Sequence, residues 1–394
     1  MARKYLPRAC ETLLRQAVDQ FPVAGLTGPR QAGKSTTLRK LFPDYQYITL
    51  DDPTLRSRAA TDPGLFIESI GTPCVIDEIQ YAPELLPHIK MEVDQDRSQT
   101  GQYLLTGSQV FPLMSGITES LAGRISLFEL LGFSLDELGF QQRGCSTPRL
   151  FETLFRGFYP EPAVHGVAPK LFYGSYLQTY LERDIRQISS VHDLRLFQQF
   201  LELLAARVGS LLNMNQLSRD CGISHTTARK WLSLLESTRI VYLLRPYFKN
   251  ISKRVMKSPK VYFTDTGLLA HLLRYPTPET VQSGPMNGAF FENLLIIEFL
   301  KRKLNQGHLW ELYFYRDSNG KEIDLILEGA HELHLVEIKL KKTLQPADAR
   351  SLASFPDTVD QHHKYLISCH PDMMPLARDI QALPWWEAAR VAGR

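Results

Sequence analysis

At 394 residues the chain is too long for one ordinary core, and roughly two to four domains are expected. A composition of 44% hydrophobic and 22% charged residues is that of a soluble globular protein. The net charge of +3, from 45 basic and 42 acidic side chains, excludes any inference about nucleic acid from global charge, so local clustering has to carry that question.

Cys10, Cys74, Cys145, Cys221 and Cys369 are widely spaced, with no CxxC pair or Cys/His cluster to suggest zinc, which favours a reduced, intracellular chain. The opening MARKYLPRACETLLRQ lacks the apolar core of a signal peptide. Apolar runs such as LLIIEFL (294–300) fall short of the roughly 18 residues of a spanning helix. A cytoplasmic location with no membrane partner is expected.

Through the first third, short apolar runs alternate with polar helical stretches. FPVAGLT (21–27), YQYITL (45–50), PCVID (73–77), QYLLTG (102–107) and ISLFEL (125–130) read as buried strands. Their rhythm predicts an α/β fold with a largely parallel sheet covered on both faces. From about Ser134 to Arg207 the pattern turns helical, with SLDELGF and LFYGSYLQTYLERDIRQ on either side of a loop, GFYPEPAVHGVAPK (157–170). Residues 210–275 carry a helix-turn-helix pattern and β-like runs, and the turn-rich YPTPETVQSGPMNG (275–288) marks a boundary. Beyond it come a helix, FFENLLIIEFLKRKL, and three β-like runs, ELYFYR, EIDLILE and LHLVEIKL.

The first strand runs into TGPRQAGKST (27–36), which matches GxxxxGK[ST] between a strand and a helix. Gly28, Pro29, Arg30, Gln31, Ala32, Gly33, Lys34, Ser35 and Thr36 are therefore candidates for binding a nucleotide. The glycines let the backbone wrap phosphate oxygens, while N–H groups and the helix N-terminus face the negative charge. Lys34 is expected to reach the β- and γ-phosphates and Ser35 to ligate Mg²⁺. Asp77, at the carboxyl end of an apolar run, is placed to position the Mg²⁺, and Glu78 to orient or deprotonate the attacking water. Ser108, with Thr106 and Gln109 beside it, is the candidate γ-phosphate sensor; loop capping is its alternative role. Arg124, in SLAGRIS, could stabilise transition-state charge on a neighbouring subunit's nucleotide or sit in a surface salt bridge, and Arg183 and Arg186 are further candidates.

GPRQAGKST, VIDEIQYAP, LLTGSQ and ESLAGRI together resemble the AAA+ ATPases. Within them the chain is similar to a prokaryotic group whose ATPase is joined to a winged-helix segment and a C-terminal domain of unknown function with a nuclease-like core. The resemblance implies a P-loop AAA+ ATPase domain over 1–135, a helical lid or linker over 136–209, a winged-helix domain over 210–280 and an α/β restriction-endonuclease-like domain over 284–394. It also implies ATP, Mg²⁺ and a homo-oligomer, hexamer or lower, but no substrate.

NMNQLSRDCGISHTTARKWLSLLESTRIVYLL (213–244) predicts two helices around a Gly-containing turn. Leu217, Ile223, Ala228, Trp231, Leu232 and Leu235 would form one core, and Ser224 would cap the second, recognition helix. From Arg229 to Lys260 there are nine basic residues against one acid, Glu236, and the wing-like stretch carries Lys249, Lys253, Arg254, Lys257 and Lys260. Such a strip suits phosphate contacts and makes nucleic acid, DNA before RNA, the expected partner of residues 210–275. Packing on a protein partner or on the lid is the alternative.

In EIDLIL and LHLVEIKL, alternation puts Glu337 and Lys339 on one face, with Asp324 on the adjoining strand and Glu292 on the preceding helix. Glu292, Asp324, Glu337 and Lys339 resemble the PD-(D/E)XK nuclease centre, in which carboxylates hold a divalent cation, Mg²⁺ or Mn²⁺, and the lysine serves the attacking water. Twelve residues separate Asp324 from Glu337, which suits a hairpin turning at Gly329 and Ala330. The same residues could form an inert scaffold in which Glu292 pairs with Lys339.

Two functions follow from these readings. One is a Mg²⁺-dependent ATPase that binds and remodels or processes nucleic acid. The other is an ATP-gated switch for a protein partner with a non-cleaving nuclease-like domain; a separate reading has the ATPase regulating the nuclease itself.

Overall fold

The five apolar runs of the first third become β1 (Val23–Thr27), β2 (Gln46–Thr49), β3 (Cys74–Asp77), β4 (Tyr103–Gly107) and β5 (Ile125–Glu129). The computed structural model describes residues 4–108, 120–140, 145–180, 193–247, 258–317, 319–355 and 362–392. The five strands form one sheet in the order β2-β3-β4-β1-β5, and every pairing is parallel. Alternate residues feed two cores: Val23, Ile76 and Leu105 face one side, and Ala24, Leu26, Val75 and Leu104 the other. A parallel sheet brings all carboxyl ends to one edge, so Gly28, Asp77 and Ser108 meet there.

After β5 the chain differs in two places from the sequence expectation. SLDELGF is a run of turns with no helix. Its Glu137 carboxylate is committed elsewhere, accepting from the backbone N–H groups of Ser134 and Ala9 and from Arg8. Inside the loop at 157–170, Pro160–Ala163 forms one short helix. The helices Thr147–Arg156, Pro169–Tyr180 and Leu194–Ala205 follow, then Met214–Cys221 and His225–Ser237 joined through Gly222 in the left-handed conformation.

The C-terminal half is built on a second sheet. β6 (Val241–Pro246) and β7 (Lys260–Phe263) form a hairpin, while β8 (Glu311–Arg316), β9 (Glu322–Glu328) and β10 (Leu333–Lys339) are the three runs expected from sequence. Three further strands complete it: β11 (His362–Ser368), β12 (Met374–Ala377) and β13 (Ile380–Pro384). The order is β12-β13-β11-β10-β9-β8-β6-β7, with β6 pairing parallel to β8. The hairpin after the helix His225–Ser237 is thus an edge of the C-terminal sheet, and the turn-rich 275–288 does not divide the two structurally. Among the described residues, no helix is long and apolar enough to cross a membrane.

The long helix Asn287–Gln306 lies against this sheet and also grips the segment leaving β5. Glu298 Oε1 accepts from Leu135 N at 2.9 Å, and Lys301 Nζ donates to Phe133 O at 2.7 Å while lying 3.9 Å from the Phe158 ring centroid. Burial pushes the Glu298 carboxyl up to about 7 against the pull of Lys301. Lys301→Met leaves the Phe133 carbonyl without its donor and Glu298 without its cation. Leaving a buried acceptor unsatisfied costs about 1–3 kcal/mol, to be seen as a lower denaturation midpoint at unchanged slope.

Candidate active site

The phosphate loop is shaped by glycines where nothing else fits. Gly28 has φ +136°, and a Cβ there would lie 2.1 Å from Leu130 O. Gly33, at φ +98°, precedes the helix Lys34–Leu41. Lys34 is buried, and its Nζ donates to Gly28 O (2.8 Å) and Pro29 O (2.9 Å), so the ammonium already sits inside the loop that is to receive phosphate. Ser35 Oγ donates to Asp77 Oδ1 at 2.9 Å, which joins the two groups that could hold a divalent cation. Thr106, on β4, donates to the same Asp77 oxygen and accepts from Glu78 N at 3.1 Å.

Glu78 has φ +59°, an uncommon backbone for a residue with a side chain. Its Oε2 accepts from Gln80, whose Nε2 also donates to Ser108 Oγ at 3.1 Å. The candidate base and the candidate phosphate sensor are therefore linked through one side chain. Gln80 lies two residues past Glu78 in the same DEIQ, yet sequence reasoning gave it no role. The three-residue helix Ile79–Tyr81 turns it back toward β4.

Arg8 was also missed. It is buried, with Nη1 donating to Ala32 O (2.9 Å) in the phosphate loop, Nη2 to Leu131 O (2.8 Å) and Nε to Glu137 Oε1 (3.0 Å). A cavity of about 860 Å³ opens beside the loop between the N-terminal segment and the helices after β5, with Tyr5, Pro160, Phe172 and Tyr176 among its lining. That volume and its mixed aromatic and polar walls suit a nucleotide's base and sugar. No short motif marks these residues, because the cavity is closed by parts of the chain far apart in sequence.

Arg124 lies before β5, at the amino edge of the sheet opposite the phosphate loop. It makes a bidentate pair with Asp94, Nε–Oδ1 2.7 Å and Nη2–Oδ2 2.8 Å, which holds the Asp94 carboxyl down at about 2. It is not among the residues that line the cavity beside this chain's phosphate loop. Arg183, Arg186 and Gln109 lie outside the described residues.

An AAA domain matches residues 20–139. Two domains of unknown function, DUF8612 and DUF4143, match 147–279 and 287–388. An uncharacterized protein of Mycobacterium tuberculosis is 32% identical over 377 residues, covering 94% of this chain and 82% of its own length, and its Mycobacterium bovis counterpart gives the same figures. The chain belongs to this family of AAA-domain ATPases. Among solved structures, a Walker-type ATPase of Pyrococcus abyssi is 16% identical, covering 66% of this chain and 94% of that one, at a TM-score of 0.42. The Holliday junction branch migration motor of Thermotoga maritima is 14% identical, covering 59% and 88%, at 0.31. Both scores are low, and family membership rests on the sequence relatives.

In this ATPase the second helix of the 213–244 segment has the expected core. Leu217, Ala228, Trp231, Leu232 and Leu235 are buried, and Ser224 caps the helix by accepting from Thr227 N at 3.0 Å. His225, Thr226, Arg229, Lys230 and Ser233 are exposed on its outer face. The basic strip read from sequence is divided by the fold. Arg239 pairs with Glu129 at the end of β5, Arg245 lies 3.9 Å from Glu236, and Lys260 is buried among carboxylates. Lys249, Lys253, Arg254 and Lys257 lie outside the described residues.

The C-terminal constellation assembles around that lysine. Lys339 Nζ pairs with Glu337 Oε1 at 2.6 Å, and Asp324 Oδ2 accepts from Ile338 N at 2.8 Å. Glu292 accepts at Oε1 from Lys260 Nζ (3.0 Å) and Tyr262 OH (2.5 Å). Burial, followed by Glu292 and Glu337, drives the Asp324 carboxyl well above the carboxylate range. The ATPase brings Glu292, Asp324, Glu337 and Lys339 into one charged neighbourhood, but they do not fit a divalent cation. An ammonium is already among them, and among the described residues no group of three or more His, Cys, Asp or Glu side chains could hold a metal.

Proposed function

We propose that the chain is a Mg²⁺-dependent ATPase that binds and remodels nucleic acid, DNA before RNA, through residues 210–275. The observation that carries this reading is the exposed face of His225–Ser237, where Arg229 and Lys230 stand beside His225, Thr226 and Ser233. The first residues of such a helix suit base edges, and the cations suit phosphates. Arg239, just past the helix, pairs with Glu129, and the carbonyl of Leu130, which follows Glu129, abuts Gly28 of the phosphate loop. This gives a short path between nucleotide and helix. Ser35 and Asp77 would hold Mg²⁺, which neutralises charge on the β- and γ-phosphates. Glu78 would orient the water, Ser108 would sense the γ-phosphate, and Arg124 would act on a neighbouring subunit's nucleotide in a homo-oligomer.

Replacing both Arg229 and Lys230 by Glu should weaken duplex DNA binding and reduce the salt slope of log K by about 0.9 per lost phosphate contact, with basal ATP hydrolysis kept. ATP turnover is measured with single-stranded, duplex and branched DNA and with RNA. A rate indifferent to all of them, with binding untouched by the double variant, would refute the nucleic-acid reading. The lysine inside the C-terminal acidic centre favours a second reading, an ATP-gated switch that engages a protein partner and does not cut nucleic acid.

A further inference from the structure

We infer that Lys260 is the resident cation of the C-terminal acidic centre, so that its ammonium stands where a divalent ion would otherwise be held and the centre serves as a closed ionic joint. Lys260 is 2% exposed, and its Nζ lies 3.0 Å from Glu292 Oε1 and 2.6 Å from Glu322 Oε1. A buried ammonium needs this many partners to offset its lost hydration. Arg316 Nη1 meets the other Glu322 oxygen at 3.3 Å, and Lys339 meets Glu337. Three cations thus face Glu292, Glu322 and Glu337, and the fourth acid, Asp324, accepts from Ile338 N. Burial alone would lower the Lys260 ammonium, but the Glu292 and Glu322 carboxylates that pair with it outweigh that and push it up.

The lysine is fixed. Its backbone pairs with Leu244 of β6 on one side and forms a bridge to Leu211 on the other, while Gly209 N donates to Val261 O at 2.9 Å. Asn293, next to Glu292, clamps the same strand: its Oδ1 accepts from Phe263 N (2.7 Å) and its Nδ2 donates to Phe263 O (2.8 Å). Lys260 and Glu292 are thus held in register by two elements that bond to each other, and the pair ties β7 to the long helix and to β9. Within the cluster, Glu337 Oε2 is buried without a hydrogen-bond partner, an acceptor available to a cation once the ammonium is gone.

The test is a Mn²⁺ titration of the full chain without nucleotide, with free Mn²⁺ read by electron paramagnetic resonance and nucleotide binding as the control for an intact fold. Wild type should show no bound Mn²⁺ that depends on Asp324. Lys260→Met should gain one site, at least about tenfold tighter than any wild-type binding, and Lys260→Met combined with Asp324→Asn should lose it. Two results would overturn the assignment: wild-type binding that Asp324→Asn removes, or a folded Lys260→Met that gains nothing. Should Lys260→Met not fold, the comparison of wild type with Asp324→Asn decides alone. Identical titrations uphold the closed joint and an Asp324-dependent site refutes it.

Discussion

Glu78→Gln should lower the kcat of ATP hydrolysis by about 10²–10⁴-fold, the range contributed by a positioned general base, and leave nucleotide binding intact. The partners of Glu78, Thr106 through the backbone and Gln80 through the carboxylate, belong to β4 and to the turn after β3 and not to the phosphate loop. The amide is isosteric and can still accept from Gln80, so the left-handed backbone and the link to Ser108 have no reason to rearrange. What would be lost is the negative charge proposed to orient the attacking water. The measurement is a pair: single-turnover hydrolysis and the Kd of a fluorescent ATP analogue. A variant that hydrolyses at the wild-type rate would move the base to another residue. One that also loses nucleotide would show that Glu78 supports the loop.

Lys34→Ala should fail in both readouts, with hydrolysis falling by about 10²–10³-fold, as for loss of one preorganised charge-stabilising donor, and ATP binding weakened as well. The ammonium is held at 2.8 and 2.9 Å by two carbonyl oxygens of its own loop. It can exchange those contacts for phosphate oxygens without travelling, so its interaction strengthens as charge builds on the transferred group. Without it the Gly28 and Pro29 carbonyls face the incoming phosphates uncompensated, a repulsion that acts on bound ATP as well as on the transition state. The same fluorescent-analogue assay separates this loss from that of Glu78→Gln, and unchanged binding in Lys34→Ala would put the lysine's effect wholly in the transition state.

The nucleotide site was legible because its parts are local. A GxxxxGK[ST] loop between strand and helix, and an acidic pair at a strand end, each fix their own geometry within a few residues, and a parallel sheet brings those ends to one edge. Gln80 escaped because its role depends on a one-turn helix folding it back onto β4, and Arg8 because its three partners lie at positions 32, 131 and 137. The basic strip misled in part for the opposite reason. Charge counted along the chain carries no sign of burial, and Arg239 and Lys260 are spent on Glu129, Glu292 and Glu322.

By itself, the sequence determined the five-stranded parallel sheet, the phosphate loop with Asp77 and Glu78, the helix pair capped at Ser224 and the hairpin that sets Asp324 beside Glu337. Each is specified by a short-range period or a cap, which adjacent residues carry alone. Only the tertiary structure decided that β6 and β7 join the C-terminal strands in one sheet, that Lys301 and Glu298 lock that half to the segment after β5, and that Lys260 enters the acidic centre. Those contacts join residues tens to more than a hundred positions apart. What selects them is the cost of leaving a charge or a strand edge buried without a partner, and no local pattern records that.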